Sequence, residues 1–220
     1  MRVAVRHAVL GLVAAFTAGP LLAQVGAPKG KTGLSITPYI GVTVPTADLL
    51  SYAKSGSATP QITKIPIGFT FGGRLGIAVG PRVGIEADVG YSPGSLEISD
   101  SGTKVKQDLH TLSGSGRLTF YLIPRTSPVW IGVSGGVGAV RHTFAKGGDA
   151  DLAGVKPNTS VGGVLGASAG IRLGKIIAFN VGAEDYLYSA KFDQNGQPLE
   201  QKKQHDIHLT AGFRLPFLGF

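Results

Sequence analysis

The chain has 220 residues, a formal net charge of +8 and a hydrophobic content of 43%. Cysteine is absent, which excludes disulfide bonds and thiol chemistry. The basic residues form no compact patch, which argues against nucleic acid as a partner. The 34 glycines also occur inside the apolar segments. Because glycine in a helix interior costs about 1 kcal/mol, this distribution argues against a helical protein and favours curved strands.

The N-terminus has the pattern of a secretory signal. A short basic stretch precedes an apolar run over residues 8–18, and small residues follow before residue 24. An apolar run of this length is too short to cross a membrane as a helix. We therefore expect a signal peptide over residues 1–23, an N-terminal periplasmic segment over 24–32 and one folded domain over 33–220.

Eight segments of this domain alternate between apolar and polar residues with a period of two, which predicts strands with one apolar face. In chain order they cover residues 34–44, 67–79, 83–91, 112–122, 129–139, 161–173, 177–183 and 207–215. The connections alternate in length. The short ones lie at 80–82, 123–128 and 174–175, and the long ones at 45–64, 92–107, 145–160 and 189–204.

Short turns on one side and long loops on the other are typical of a barrel in the bacterial outer membrane. We therefore predict an all-β fold, a closed antiparallel eight-stranded up-and-down transmembrane β-barrel. A soluble barrel or sandwich, with its apolar face inward, is the alternative. The polar face is rich in Gly, Ser and Thr and aromatic residues lie near the strand ends, which favours the membrane. We expect Leu75, Leu118, Val133 and Leu165 to face lipid.

The polar faces of the strands carry arginines and carboxylates that would point into the lumen. Arginine pairs well with carboxylates in a confined space, and an eight-stranded barrel is just wide enough to be filled by side chains. We therefore expect a charge network that fills the lumen; a gated ion path is the alternative. The candidate members are Arg74, Glu86, Asp88, Arg117, Arg172, Glu184, Asp206 and Arg214.

The final alternating segment, residues 205–215, resembles the closing strand of small eight-stranded outer-membrane β-barrel proteins, of the OmpA transmembrane-domain and opacity-antigen type. With the strand pattern and the loop alternation, the resemblance covers residues 33–220. It implies a monomer in the outer membrane of a Gram-negative bacterium, surrounded by lipid and lipopolysaccharide. It also implies that the barrel-insertion machinery reads a C-terminal aromatic residue, here Phe217 or Phe220.

A catalytic site at the barrel rim would need a histidine beside a serine and a carboxylate. The candidates for such a cluster are Asp108, His110, Ser113, Asp206 and His208. Their spacing matches no lipid-modifying enzyme pattern, so we expect no catalytic, cofactor or metal site. The sequence favours a structural or surface-interaction protein. The alternatives are a narrow channel or conduit for small hydrophobic molecules and a lipid-modifying enzyme with a site at the rim.

Overall fold

The structure is a computed structural model. It describes residues 33–218 apart from 48–49, 53–60, 101–102, 145–154, 157–158, 175–176, 191, 195–196 and 199–201. The predicted signal peptide, the N-terminal segment over 24–32 and Phe220 lie outside the described residues.

Eight long antiparallel strands form the barrel. They are β1 (Gly33–Pro45), β2 (Gly68–Ala78), β3 (Val83–Asp100), β4 (Thr103–Ile123), β5 (Val129–Phe144), β6 (Thr159–Arg172), β7 (Ala178–Ala190) and β8 (Lys202–Leu218). Each strand pairs with its neighbours along the chain, and β1 also pairs with β8. The sheet therefore closes on itself, as a barrel in hydrocarbon requires, and the predicted fold is confirmed. Among the described residues no helix is long and apolar enough to cross a membrane.

The short turns depend on glycine at two positions. Gly80 and Gly174 have φ angles of 152° and 118°, a region that other residues rarely adopt. At the β2–β3 turn the Val79 amide donates to the Val83 carbonyl at 2.9 Å. At the β6–β7 turn the Leu173 amide donates to the Ile177 carbonyl at 2.8 Å. Tight turns therefore join these strands at the end that we assign to the periplasm.

The two faces of the wall follow the predicted alternation. Leu118, Val133 and Leu165 are 63%, 44% and 58% exposed on the outer face, whereas Arg117 is 3% exposed inside the barrel. Leu75 lies on the outer face beside the buried Arg74. The assignment of the apolar face to lipid is confirmed for these strands, because the reverse arrangement would bury the leucines and expose the arginines.

The prediction of a loop over residues 92–107 is wrong. β3 and β4 continue through it as one hairpin, paired from Val83 and Phe120 to Asp100 and Thr103. In the outer part of the hairpin, apolar residues face inward and polar residues face outward. Leu96 and Leu109 are 0% and 1% exposed inside, while Lys106 and Asp108 are exposed outside. Water replaces lipid around the wall at this height, so polar residues face outward and apolar residues face inward.

The other predicted loops also contain strand. Leu50–Tyr52 pairs with Gln61–Lys64, which in turn pairs with β3 at residues 97–99. Asp193–Gln194 pairs with both Gln197–Pro198 and Val155–Lys156. The first pair of short strands therefore joins the barrel sheet through β3, whereas the other three form a separate sheet.

Candidate functional site

A cluster of five charged side chains occupies the middle of the lumen. Arg74 comes from β2, Glu86 and Asp88 from β3, Arg117 from β4 and Glu184 from β7. The register explains the nearest pairs, because Arg74 lies opposite Asp88 and Glu86 lies opposite Arg117 on adjacent strands. Residues directly opposite each other on one face are close enough to interact. Glu184 reaches the cluster from the other side of the β1–β8 closure.

The two arginines share the three carboxylates. Arg74 Nε lies 3.3 Å from Asp88 Oδ2 and 4.0 Å from Glu86 Oε2, and its Nη2 contacts Glu184 Oε1. Arg117 Nη1 lies 2.6 Å from the same Glu184 oxygen, and its Nη2 lies 3.5 Å from Glu86 Oε2. The Arg117 nitrogens lack hydrogen-bond geometry towards these oxygens. We therefore treat the Arg117 contacts as ionic pairs rather than as directed hydrogen bonds.

Tyr39 of β1 closes one side of the cluster. Its hydroxyl donates to Asp88 Oδ1 at 3.0 Å. The Arg74 guanidinium lies 5.7 Å from the centre of the Tyr39 ring, within the range of a cation–π contact. A large side chain at this position also requires space from its neighbours, and a Cβ on Gly212 or Gly72 would overlap atoms next to or within Tyr39. Glycine on the flanking strands therefore makes room for the tyrosine.

Arg214 of β8 joins the cluster through Tyr121. Arg214 Nη1 donates to the Tyr121 hydroxyl at 3.2 Å, and that hydroxyl donates to Glu86 Oε1 at 3.5 Å. Arg214 Nε donates to Ser35 Oγ at 3.0 Å. With Arg214 included, three arginines face three carboxylates, so the charges balance. We call these six side chains the lumen network; its members are Arg74, Glu86, Asp88, Arg117, Glu184 and Arg214.

Two predicted members lie outside the lumen network. Asp206 is buried nearer the outer end, where Oδ2 accepts a hydrogen bond from the Tyr188 hydroxyl at 2.6 Å. Arg172 is exposed at the turn side, where Nη2 donates to the Arg125 carbonyl at 3.1 Å. Neither residue lies at the depth of the network, and the exposed Arg172 does not point into the lumen as expected. Phe217 is the penultimate residue of β8. The insertion signal at Phe217 or Phe220 stays a prediction.

Above the lumen network the interior contains an apolar cluster, which the sequence pattern did not predict. Tyr186 lies at its lower edge, with its ring centre 4.6 Å from that of His208. Its members are Leu96, Leu109, Val140, Val164, Tyr186, Tyr188, Ala190 and Phe192. We call this set the outer core. The signal that could have revealed it is that Leu96 and Leu109 keep the parity of the inward-facing Glu86 and Arg117 on the same two strands.

The wall has a gap beside the outer core. Pairing between β2 and β3 stops at Phe71 and Tyr91, and the strand Gln61–Lys64 pairs with β3 only from Glu97 onwards. A pocket opens at this gap. It is lined by Thr43, Pro45, Ile65, Pro66, Gly68, Ser92, Pro93, Gly94, Leu109, Thr111, His142 and Asp206. Proline lacks the amide hydrogen that a continuing ladder would need, so Pro66 and Pro93 suit the edges of a gap.

The residues considered for a rim enzyme do not converge. His110 lies on the outer face, where its Nδ1 is 2.9 Å from the Tyr91 hydroxyl, whereas Ser113 points into the lumen. Asp108 is exposed outside, and His208 is buried inside. Within the described part of the chain, no group of three or more histidines and carboxylates could hold a metal ion. The described geometry thus offers no nucleophile paired with a base at the rim.

The comparisons with known proteins agree with this architecture. OprG from Pseudomonas aeruginosa superimposes with a TM-score of 0.67 at 15% identity, covering 86% of this chain and 97% of OprG. Neisserial surface protein A gives a TM-score of 0.54 at 14% identity, covering 86% of this chain and all of the other. No curated protein is similar enough in sequence to count as a match. The outer membrane protein β-barrel domain family matches residues 8–214, and the chain belongs to that family of bacterial outer-membrane proteins.

Proposed function

We propose that this protein is a monomeric, non-enzymatic barrel with a closed lumen and a structural or surface-interaction role in the outer membrane. The observation that carries the proposal is the lumen network. Arg74 on β2 and Glu184 on β7 meet inside the barrel, with Arg117 against the same Glu184 oxygen. An ion crossing along the axis would have to separate these buried pairs, and separating a buried pair is costly.

The surroundings proposed for the barrel are lipid and lipopolysaccharide. The outer face is apolar at mid-height, as the exposure of Leu118 and Leu165 supports. Anionic headgroups would meet cationic side chains above that band, such as the exposed Lys106 and Arg141. We further propose that the barrel-insertion machinery delivers the chain by reading Phe217 or Phe220. Replacing each by alanine and measuring insertion into outer-membrane vesicles distinguishes the two.

Planar-bilayer conductance tests the closed lumen. The purified, refolded protein should give no reproducible open channel at neutral pH, while a large general porin in the same bilayer serves as the positive control. Reproducible unitary conductance steps from this protein would reject the closed-lumen proposal.

The wall gap favours a second candidate function, the passage of small hydrophobic molecules between the outer core and the lipid. Its support is the stretch of β3 between Tyr91 and Glu97 that pairs with β4 but has no partner strand on its β2 side, where Pro66 and Pro93 line the pocket. An apolar solute entering there would contact Leu109 of the outer core. A passage of this kind is compatible with a lumen closed along its axis.

Naphthalene uptake by cells that express the protein tests this passage. Pro93→Val restores a backbone donor at the gap and should reduce uptake severalfold. Pro38→Val, at an exposed proline in the middle of β1, is the matched control and should leave uptake at the parent rate. Equal uptake by the parent, by Pro93→Val and by cells without the protein would reject the passage.

A further inference from the structure

The pocket at the wall gap has a polar inner end. Thr43 Oγ1 and Ser92 Oγ lie 3.2 Å apart there, and His142 and Asp206 line the pocket with them. The Tyr188 hydroxyl lies between the last two, 2.6 Å from Asp206 Oδ2 and 3.5 Å from His142 Nε2. This cluster lies next to the apolar outer core. A bound molecule would therefore meet polar groups at one end only.

Asp206 differs from every carboxylate of the lumen network. Each network carboxylate contacts an arginine, whereas no cationic nitrogen of the described residues lies within 4.0 Å of Asp206. Asp206 is 2% exposed, and its Oδ1 has no hydrogen-bond partner among the described residues. A buried carboxylate oxygen without a donor or a counter-charge is costly. A cationic hydrogen-bond donor would supply both a donor and a counter-charge.

The size of the pocket and the apolar character of its mouth restrict which donor group can bind there. The enclosed space is about 20 Å³, enough for one group of the size of a water molecule. The mouth is apolar, with Ile65, Pro66 and Pro93 at its edge. A primary ammonium group has about the size of water and donates three hydrogen bonds, whereas a trimethylated one is much larger and donates none. The inner end therefore suits a primary ammonium.

An apolar surface continues from the mouth down the lipid face. The rings of Phe69 and Phe71 lie 6.0 Å apart, and those of Phe71 and Tyr91 lie 5.5 Å apart. Phe69 and Phe71 are half exposed towards lipid. An alkyl chain that leaves the pocket through the gap would lie against these rings in the outer leaflet.

We propose that this pocket binds a small primary alkylammonium ion, with the ammonium group beside the Asp206 carboxylate and the alkyl chain passing through the gap towards Phe69 and Phe71. The ammonium supplies a counter-charge that Asp206 does not receive from the described residues. Thr43 and Ser92 provide further oxygen acceptors beside it. The inference rests on the wall gap of the second candidate function and names the class of molecule that the gap would admit.

Binding of n-hexylammonium tests the site. The full-length protein is placed in phosphatidylcholine nanodiscs, and the dissociation constants of n-hexylammonium, 1-hexanol and hexanoate are measured by NMR titration. We expect n-hexylammonium to bind the parent and to bind Asp206→Asn at least about tenfold more weakly, since a charge-assisted hydrogen bond is lost. Asp108→Asn, at an exposed carboxylate on the outer face, should match the parent.

Amide shifts provide a readout that does not depend on a variant. n-Hexylammonium should shift the signals of Thr43, Ser92 and Thr111, which line the pocket, more than those of the outer face around Asp108. If 1-hexanol or hexanoate binds as tightly as the amine, if Asp206→Asn binds it as tightly as the parent, or if no binding occurs, the proposal is overturned. Naphthalene uptake that depends on Pro93 without amine binding would leave the passage standing and reject this site alone.

Discussion

Removing the Arg74 guanidinium should strongly destabilise the folded barrel. In Arg74→Met the two glutamates of the lumen network keep Arg117 as a counter-ion, whereas Asp88 keeps the Tyr39 hydroxyl at 3.0 Å as its direct partner. Asp88 is 3% exposed, so water cannot readily replace the lost charge. Breaking a buried pair by removing one partner costs about 3–5 kcal/mol. The folding equilibrium constant should therefore fall by roughly two to four orders of magnitude.

Urea titration of folding into phospholipid vesicles, followed by the fluorescence of the single tryptophan, measures this loss. Arg74→Met/Asp88→Asn removes both charges and should recover about 1 kcal/mol or more relative to Arg74→Met, since coupled pairs deviate from additivity by that amount. Arg82→Met, at an exposed arginine in a short turn, is the control and should stay within about 1 kcal/mol of the parent. If Arg74→Met also stays within that limit, or if the double variant is no more stable than Arg74→Met, the counter-ion argument fails.

Two further changes test the faces and the packing of the wall. Leu118→Arg places a charge on the lipid face and should cost about 2–4 kcal/mol of folding free energy in vesicles, whereas Leu118→Ala retains an apolar surface there and should cost less; equal stabilities would mean that the faces are misassigned. A Cβ on Gly170 would overlap the indole of Trp130, so Gly170→Ala should shift the tryptophan emission and lower the urea midpoint. Gly163→Ala on the same strand meets nothing within 4 Å and should change neither, and an identical response of the two variants would contradict the packing.

The strands within the membrane could be predicted from the sequence because lipid lies outside and a polar lumen inside. Apolar and polar residues therefore alternate along the whole membrane-spanning part of each strand. Counting residues from a short turn also brings Arg74, Glu86, Asp88 and Arg117 to a similar depth, and the structure pairs Arg74 with Asp88 and Glu86 with Arg117. Contacts across the β1–β8 closure cannot be predicted by counting residues from a turn. That Glu184 meets both arginines depends on shear and side-chain reach, which the alternation does not encode.

Above the membrane the rule reverses, and prediction failed there for that reason. Leu96 and Leu109 point inward and Lys106 points outward, as in a water-soluble barrel. The rule that polar residues face inward does not fit this segment, and a loop is therefore predicted instead of a strand. The outer core, the wall gap and the position of Asp206 beside them could be recognised only from the three-dimensional pairing.

Barrel closure joins parts of the chain that are far apart. Arg74 and Glu184 are separated by 110 residues, and Ser35 and Arg214 by 179. While β1 and β8 are still apart, none of these contacts exists, so they do not stabilise a transition state that precedes closure. Contacts absent from the transition state slow unfolding and leave the folding rate nearly unchanged. The contacts across the closure, such as that of Arg74 with Glu184, therefore govern how long the inserted barrel persists in the membrane rather than how fast it inserts.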